Sequence, residues 1–264
     1  MGRSTRSIDY QFVPRPIAVL SDDYRSGFVD PLHSHVRAQF VYAISGVTIL
    51  STHDNSYVAP PQRAIWIPAG VEHEVRCRGR VQIRTLYISN DAAPDLPLSC
   101  QVLEVSNLLR ELILAAAELP VEYDLEGRDA RIMDLILDEI RRSPRIPLHV
   151  PMPSNERLAR ICKTILADSA QHEDLDDWAT AAAMGRRTFT RSFRRETGMS
   201  FATWRQQVRL MDALSRLATG HSVTSTALDV GYNSPSAFTA MFRRTFGVPP
   251  THYLVEPAPE PATS

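Results

Sequence analysis

Three histidines and a glutamine in the first third of the chain have the residue types and the spacing of a metal site. His33, His35 and Gln39 are separated by even numbers of residues, so on one β-strand their side chains would share a face. His73 follows the turn-forming tripeptide Pro-Ala-Gly, which would deliver it to a neighbouring strand. Imidazole suits zinc, nickel, copper and iron. The spacing therefore predicts one divalent transition metal at these four residues, with Gln39 as the weaker ligand, or else an effector pocket that they line.

The same side chains have a simpler interpretation, in which His33 and His35 are ordinary polar groups on the lip of a barrel. A neutral amide such as Gln39 neither offsets the charge of a metal nor acts readily as a base at neutral pH, which argues against catalysis. A cation held by neutral ligands would be bound with modest affinity, and an anionic effector would complete its ligand shell. We therefore expect a binding site at these residues, and we expect that the protein is not an enzyme.

Short β-segments punctuated by turns surround these residues between positions 28 and 90. The segments end at turn-forming sequences such as Ser45-Gly46 and Asp54-Asn55. Strands are predicted over residues 38–44, 47–52, 64–67 and 81–88. Such spacing is typical of a small sandwich or barrel, which we assign to residues 1–98.

Two helical patterns follow the β-segments. Apolar residues recur at helical spacing in residues 103–119 and again in residues 129–142. Because they spread over more than one face, they predict that residues 99–143 form a homodimer interface; the alternative is that both helices cover the open barrel. Four prolines then predict an extended linker over residues 144–153.

The last third of the chain contains an internal repeat. The pattern Phe-x3-Phe-Arg-Arg-x2-Gly begins at Phe189 and again at Phe238. Upstream of each copy a small residue, Ala179 or Ala227, would let two helices approach closely, and the paired phenylalanines would anchor the second helix to a core. Each copy predicts a helix-turn-helix unit, and residues 201–218 predict a long helix between them. The alternative is a generic helical bundle, which would not require two matched copies.

The second helix of the first unit carries a stripe of hydrogen-bond donors opposite its phenylalanines. Arg187 and Arg191 are one turn apart and are expected to read bases, whereas Arg186 and Arg194 are expected to contact phosphates. The equivalent face of the second unit is poorer in such side chains, since Ala240 occupies one position. The predicted DNA-contacting residues are Arg186, Arg187, Thr190, Arg191, Arg194, Ser236, Thr239 and Arg243.

Charge and composition agree with a DNA-binding function. The net charge of the 264-residue chain is −1, but residues 179–253 carry 10 basic and 3 acidic side chains, whereas residues 1–150 carry 16 basic and 19 acidic ones. Such a basic block is typical of a module that binds a polyanion. The 3 widely spaced cysteines predict neither a disulfide framework nor a cysteine zinc site. The lack of a long apolar run and the polar N-terminus predict a cytoplasmic protein without a membrane span.

Residues 175–254 resemble the DNA-binding domain of the AraC/XylS family of bacterial transcription regulators. The resemblance is carried by the stretches LDDWATAAAMGRRTFTRSFRRETGMSFATW, QVRLMDALSRLATG and VTSTALDVGYNSPSAFTAMFRRTFGVPPTHYL. This sequence departs from the family at Gly185, where a capping serine is usual, and at Ala240, where a long polar residue is common. Residues 27–80 also resemble the two cupin motifs, with Gln39 where a metallo-cupin has glutamate and Cys77 where the second motif ends in asparagine.

The resemblance implies an α+β fold of two domains. A cupin-like sensor barrel with a helical dimerisation segment would precede an all-α double helix-turn-helix over residues 154–254 and a disordered tail over residues 255–264. It implies a homodimer that binds promoter DNA and responds to a small-molecule or metal effector, with RNA polymerase as a further partner. Within this family the barrel usually binds a small molecule without metal. The rival hypothesis is a dioxygenase-like cupin metalloenzyme that carries a DNA-binding domain.

Overall fold

The structure is a computed structural model that describes residues 4–253. Apart from residues 196–198, the chain divides into two compact units at the boundary between Ser154 and Asn155. The first unit contains the strands and two α-helices, and the second is helical. This organisation confirms the predicted α+β fold of two domains. The predicted disordered tail over residues 255–264 lies outside the described residues.

The first unit is built on one antiparallel sheet. Its described strands are β1 (Ile17–Tyr24), β2 (Val29–His33), β3 (Ala38–Ser51), β4 (Asn55–Ala59), β5 (Arg63–Ile67), β6 (His73–Ile88), β7 (Gln101–Glu104), β8 (Arg145–Ile146) and β9 (His149–Pro151). The long strand β6 pairs with β1, β2 and β3, while β3 also pairs with β4 and β5. The sheet continues from β5 to β7 and β8, and from β4 to β9. Every strand that carries a predicted sensor residue is therefore β6 itself or a neighbour of β6.

A glycine bulge joins two of the predicted strands into one. Residues 38–44 and 47–52 were expected to be separated by a turn at Ser45-Gly46, but β3 runs without a break through both. The register between β3 and β6 shifts on either side of Ser45, and Gly46 has a φ of 74°. The prediction of a turn was wrong because a glycine with positive φ serves a strand bulge as readily as it serves a turn.

Helices α1 (Asn107–Glu118) and α2 (Arg128–Arg142) cover one face of this sheet. Leu109 and Ile113 of α1, and Ile136 and Ile140 of α2, are buried in one core with the sheet residues Phe40, Tyr42, Trp66 and Leu86. The first helix was predicted to begin at residue 103, but residues 101–104 form β7 and the Ser106 hydroxyl caps α1 by accepting from the amide of Leu109. One face of each helix therefore covers the sheet, which was the alternative to a dimer interface.

The proline-rich segment at 144–153 is part of the first unit. It is extended, as predicted, but it is not a free linker. β8 pairs with β7, β9 pairs with β4, and Leu148 and Val150 are fully buried. Prolines are tolerated here because short strands at the edge of a sheet leave some backbone groups unpaired.

The second unit contains seven described helices. They are α3 (Glu156–Ala167), α4 (Leu175–Ala181), α5 (Arg186–Thr197), α6 (Phe201–Ala218), α7 (Val223–Asp229), α8 (Pro235–Phe246) and α9 (Pro250–Tyr253). Side chains of Asn155, Asp174, Ser200, Ser222 and Ser234 cap five of the helices at their first turn. Helices begin where a short polar side chain can accept from the free backbone amides. None of the described helices is long and apolar enough to cross a membrane.

Replacing Gly46 with alanine should destabilise the sheet strongly. A Cβ atom at this position would lie 2.6 Å from the carbonyl oxygen of Arg80 and 2.7 Å from Cγ2 of Val81, in addition to the strain of a positive φ. Gly27 has a similar φ of 81° but open space around it. Gly27→Ala therefore measures the cost of the positive φ without a steric clash. We expect Gly27→Ala to lower the free energy of unfolding by about 1–2 kcal/mol, and Gly46→Ala to lower it by at least about 2 kcal/mol more.

Native-state hydrogen exchange of peptides from β3 and β6 measures both effects as a fall in the free energy of opening. Equal losses of protection in the two variants would show that the close approach at Gly46 is not what holds the two strands in register.

Candidate functional site

The first helix-turn-helix unit consists of α4, a short turn and α5. Phe189 and Phe193 are fully buried and meet the Phe201 ring edge-on at 5.0 and 5.1 Å between centroids. Ala179 on α4 is also buried, and its carbonyl accepts from the amide of Met184 in the turn. The phenylalanines therefore fix the rotation of α5 about its own axis.

The opposite face of α5 carries the predicted donors. Arg187, Arg191 and Arg194 are exposed, and Thr190 is half-buried between them. The Thr190 hydroxyl donates to backbone carbonyls of its own helix, so its donor is already used. Arg186 differs from the other arginines because its Nη1 lies 2.8 Å from the Asp176 carboxylate on α4. The geometry thus brings Arg187 and Arg191 together on one exposed face.

The second unit repeats this arrangement with α7 and α8. Phe238 and Phe242 are fully buried, and Ser234 caps α8 by accepting from the amide of Ala237. Ser236 and Arg243 are exposed and Thr239 is half-buried. These predicted residues lie on one helix, but the exposed Ala240 leaves a gap among them.

Helix α6 connects the two units and is tied to both. Arg205 donates to the carbonyls of Gln171 and Glu173 in the loop before α4. Arg216 near the other end of α6 lies 3.1 Å from the Asp229 carboxylate on α7. In the turn of the second unit, Gly231 has a φ of 80°, and a Cβ there would lie 2.9 Å from Nη2 of Arg209. The connector is therefore fixed against both units by side chains along its length.

The three predicted histidines form a cluster in the first unit. His33 ends β2 and pairs with His73 at the start of β6, while His35 lies in the segment between β2 and β3. The ring centroids lie 4.4 Å apart for His33 and His73, 4.7 Å for His33 and His35, and 5.6 Å for His35 and His73. One ligand nitrogen from each ring can be chosen so that all three lie within 4.8 Å of one another.

The expectation that His33, His35 and Gln39 share one strand was wrong. The chain leaves β2 after His33 and enters β3 only at Ala38, so the even spacing does not place these residues on one face. Their convergence has another cause. Cross-strand pairing puts His33 beside His73, and the amide of Gly70 donates to the carbonyl of His35 at 2.8 Å, which holds that segment against the turn before β6.

Backbone carbonyls orient two of the three rings. Nδ1 of His33 lies 2.6 Å from the carbonyl of Pro31, and Nδ1 of His73 lies 2.8 Å from the carbonyl of Val71. A carbonyl can only accept, so each Nδ1 carries a hydrogen, and in the neutral form of either ring the lone pair is on Nε2. Burial lowers the pKa of His73, and burial together with His33 and His73 lowers the pKa of His35 to about 4. His35 and His73 are therefore neutral at pH 7.

Two residues beside the cluster were not predicted from the sequence. The Tyr87 ring lies edge-on to His35 at 5.4 Å, and the Asp30 carboxylate lies 3.7 Å from Nε2 of His33. Asp30 gave no signal, because a spacing of three residues would place it and His33 on opposite faces of a regular strand. The irregular pairing of β2 with β6 between these two residues removes that alternation.

Gln39 is not a member of the histidine cluster itself. It pairs with Tyr87 across β3 and β6, and its side chain hydrogen-bonds to the Tyr87 hydroxyl. Its Oε1 is buried without a hydrogen-bond partner among the described residues. Its role as a fourth ligand stays a prediction.

Comparison with known proteins decides the family. The sequence profile of the "AraC-like ligand binding domain" matches residues 16–184, and that of a "Helix-turn-helix domain" matches residues 178–255. The chain is 33% identical over 224 residues to the HTH-type transcriptional regulator NimR of Escherichia coli K12, which covers 85% of this chain and 82% of the relative. The chain belongs to the AraC family of transcription regulators. It combines a ligand-binding domain with a helix-turn-helix DNA-binding domain, as the sequence predicted.

Other relatives and solved structures are more distant or partial. The activator RhaR of Mannheimia succiniciproducens is 21% identical over 253 residues, covering 90% of this chain and 91% of that protein. The DNA-binding domain of AdpA in complex with a target DNA is 33% identical over 38% of this chain and 90% of that chain, with a TM-score of 0.36. ToxT of Vibrio cholerae O395 covers 90% of this chain and 97% of its own, at 14% identity and a TM-score of 0.38.

The cap of α8 should contribute measurably to the stability of the second AraC-type unit. Ser234→Ala leaves the amide of Ala237 without its acceptor and should lower the free energy of opening of α8 by about 1 kcal/mol, whereas Ser234→Gly should cost a few tenths. Gly185, before α5, has open space for a side chain, so Gly185→Ser should stabilise α5 by a few tenths of a kcal/mol. Amide exchange of the two helices measures each change. If Ser234→Ala leaves exchange in α8 unaltered, the cap is not stabilising.

Proposed function

We propose that α5 gives this AraC-family regulator its sequence preference on promoter DNA, while α8 contributes mainly affinity for the DNA backbone. The observation that supports this most directly is the exposed pair Arg187 and Arg191, set opposite the fully buried Phe189 and Phe193. Because the phenylalanines fix the rotation of α5, both arginines point away from the core together. As a regulator of promoters the protein would act in the cytoplasm and meet RNA polymerase there.

Arg187 and Arg191 are suited to read bases because they remain available. Neither guanidinium hydrogen-bonds to another described residue, whereas Arg186 is engaged with Asp176. Arginine binds the O6 and N7 atoms of guanine with two hydrogen bonds in the major groove. Arg186 and Arg194 lie to either side of this pair, where phosphates flank the groove. Thr190 contributes through its methyl group and remaining lone pairs.

The poorer surface of α8 supports a different role for the second unit. Ser236 and Thr239 have short side chains and Ala240 has none that reaches a base. Arg243 lies a turn beyond them and fits a phosphate contact. Phosphate contacts fix the position of a protein on DNA without reading sequence.

The connector sets the spacing of the two recognition helices. Eighteen residues of α6 span roughly 27 Å, and equivalent major-groove segments on one face of DNA lie roughly 34 Å apart. The contacts of Arg205 and Arg216 hold both units to this helix. We propose that the two units enter adjacent segments of the major groove.

Alanine at Arg187 or Arg191 should weaken binding to the specific site and relax the preference at one or two base pairs. The loss of paired hydrogen bonds to a base corresponds to about 1–3 kcal/mol, or roughly a 5- to 150-fold rise in Kd. Arg243→Ala should instead weaken binding evenly across sequences and reduce the salt dependence. Arg160→Ala, at an exposed position on α3, is the matched control for loss of a positive charge.

Selection of DNA sites from a randomised pool, followed by measurement of Kd on the selected site, gives both quantities. Wild-type affinity and preference in both the Arg187 and the Arg191 variant would contradict the assignment of base reading to α5.

We further propose that the protein is a homodimer formed through α1 and α2. Each helix buries one face against the sheet, but apolar residues elsewhere on the helices are exposed to solvent. Leu108 of α1 is 51% exposed and Leu135 of α2 is 40% exposed. Apolar residues exposed together on neighbouring helices support a partner surface, because a contiguous apolar patch marks an interaction site. The two interpretations from the sequence are compatible, because one face of each helix covers the sheet and another would meet the second subunit.

Leu135→Arg should convert the dimer to a monomer. A guanidinium at this position would be buried without a partner in the interface, which is strongly unfavourable. Leu98→Arg is the control, since Leu98 is a leucine outside the helices and is 92% exposed. Sedimentation velocity of the full chain at micromolar concentration separates the two states. A wild-type chain that sediments as a monomer would rule out this interface.

A further inference from the structure

The histidine cluster has the arrangement of an open metal site. The histidines come from three places in the first unit: the end of β2, the segment after it and the start of β6. Their ligand nitrogens converge within 4.8 Å. Nitrogens that bind one ion at about 2.0–2.1 Å in a tetrahedral arrangement lie roughly 3.3 Å apart, so the three nitrogens would move closer together when an ion binds.

Two of the rings are held by the same kind of backbone hydrogen bond. In each case Nδ1 donates to the carbonyl two residues earlier, from His33 to Pro31 and from His73 to Val71. Hydrogen bonds of this kind are the usual support of metal-binding histidines, because they fix the tautomer and the ring orientation. Nε2 is therefore the nitrogen that each of these two rings has available for an ion.

His73 supplies a second, independent observation. The residue is 1% exposed, and its Nε2 is buried without a hydrogen-bond partner among the described residues. A buried acceptor of this type normally has a partner, and no neighbour among the described residues provides one. A cation at the centre of the cluster would satisfy it.

The surroundings of the cluster suit a bound cation. Asp30 places a half-exposed carboxylate 3.7 Å from Nε2 of His33, which supplies the negative charge that the neutral ligand set lacks. The buried Tyr87 packs against His35 and restricts its ring from the other side. Half-exposed His33 and His35 leave a path for an ion from solvent.

We propose that His33, His35 and His73 bind one divalent transition ion through imidazole nitrogens, with Asp30 as the adjacent balancing anion. Three imidazoles favour zinc, nickel, copper or iron over calcium and magnesium. Three protein ligands leave a coordination position open, which an anionic or carbonyl group of the effector would fill. Binding of the ion does not depend on the proposed function; only its role as part of the effector response rests on that function.

Zinc titration of the full chain tests the site. Protein stripped with a chelator should take up one Zn²⁺ per chain in competition with a chromophoric chelator. His33→Ala and His35→Ala should each weaken that binding by at least 100-fold, since each removes a ligand from a set of three. His53→Ala is the matched control: this histidine lies in the β3–β4 turn with its side chain 86% exposed, and its loss should leave zinc binding unchanged.

The design keeps folding and ligand type under control. His33 and His35 are half-exposed, so their variants avoid the risk that a change at the buried His73 simply unfolds the sheet. The free cysteines Cys77, Cys100 and Cys162 are competing ligands for zinc. The visible spectrum of the Co²⁺ complex resolves this, because nitrogen coordination lacks the thiolate charge-transfer band that a cysteine ligand produces.

Each outcome decides the inference. Uptake of one ion that is lost in the His33 and His35 variants but kept in the His53 variant supports it. No uptake by the wild type, wild-type affinity in the His33 and His35 variants, or a thiolate band overturns it. Affinity of the same preparations for the selected DNA site is measured with chelator present. A wild-type chain that takes up zinc at the cluster but binds no DNA would contradict the proposed function alone, and one that binds DNA but no zinc would contradict this inference alone.

Discussion

The antiparallel pairing of β3 with β6 is the constraint on which the sensor unit depends. The two strands stay paired from Ala38 opposite Ile88 to Ser51 opposite Glu74, across the bulge at Gly46. Because β2 also pairs with β6, this one strand fixes His73, its partner His33 and Tyr87 in the same frame. Without a side chain at Gly46, the backbone of β3 can approach Arg80 closely enough to keep the two strands paired on both sides of the bulge. The histidine cluster is thus a product of strand pairing and of the backbone hydrogen bond from Gly70 to His35, and not of sequence spacing.

The helical half of the protein follows from its sequence more closely than the sheet half does. The long helix was predicted at residues 201–218 and is found at Phe201–Ala218, because its apolar periodicity, the capping serine before it and the glycine after it all lie in this one segment of the chain. In the sheet, the same dipeptide Ser45-Gly46 is compatible with a turn and with a bulge, and only the distant strand β6 decides between them. The pairing of the segment at 144–153 likewise depends on β4 and β7, far away in the sequence.

The candidate sites show the same division. The donors on α5 could be placed on one face from helical periodicity alone, since Phe189 and Phe193 define the opposite face. The histidines were grouped correctly by an argument about strand parity that does not apply, because His35 lies outside any strand. Asp30 and Tyr87 could not be found from spacing: an irregular strand pair brings the first to His33, and the β6 frame brings the second to His35. Contacts that depend on strand register cannot be predicted from the sequence until the register is known.

Anomalous X-ray diffraction from crystals grown with Zn²⁺ or Ni²⁺, recorded at the absorption edge of the metal, tests the sensor site most directly. The geometry predicts one strong anomalous peak in the first unit, at about 2.0–2.1 Å from a ring nitrogen of each of His33, His35 and His73. It also predicts that the Nδ1 bonds of His33 and His73 to the carbonyls of Pro31 and Val71 persist when the ion is bound. A cluster without an anomalous peak, or a peak held by cysteine sulfur elsewhere in the chain, would contradict a metal centre at these histidines.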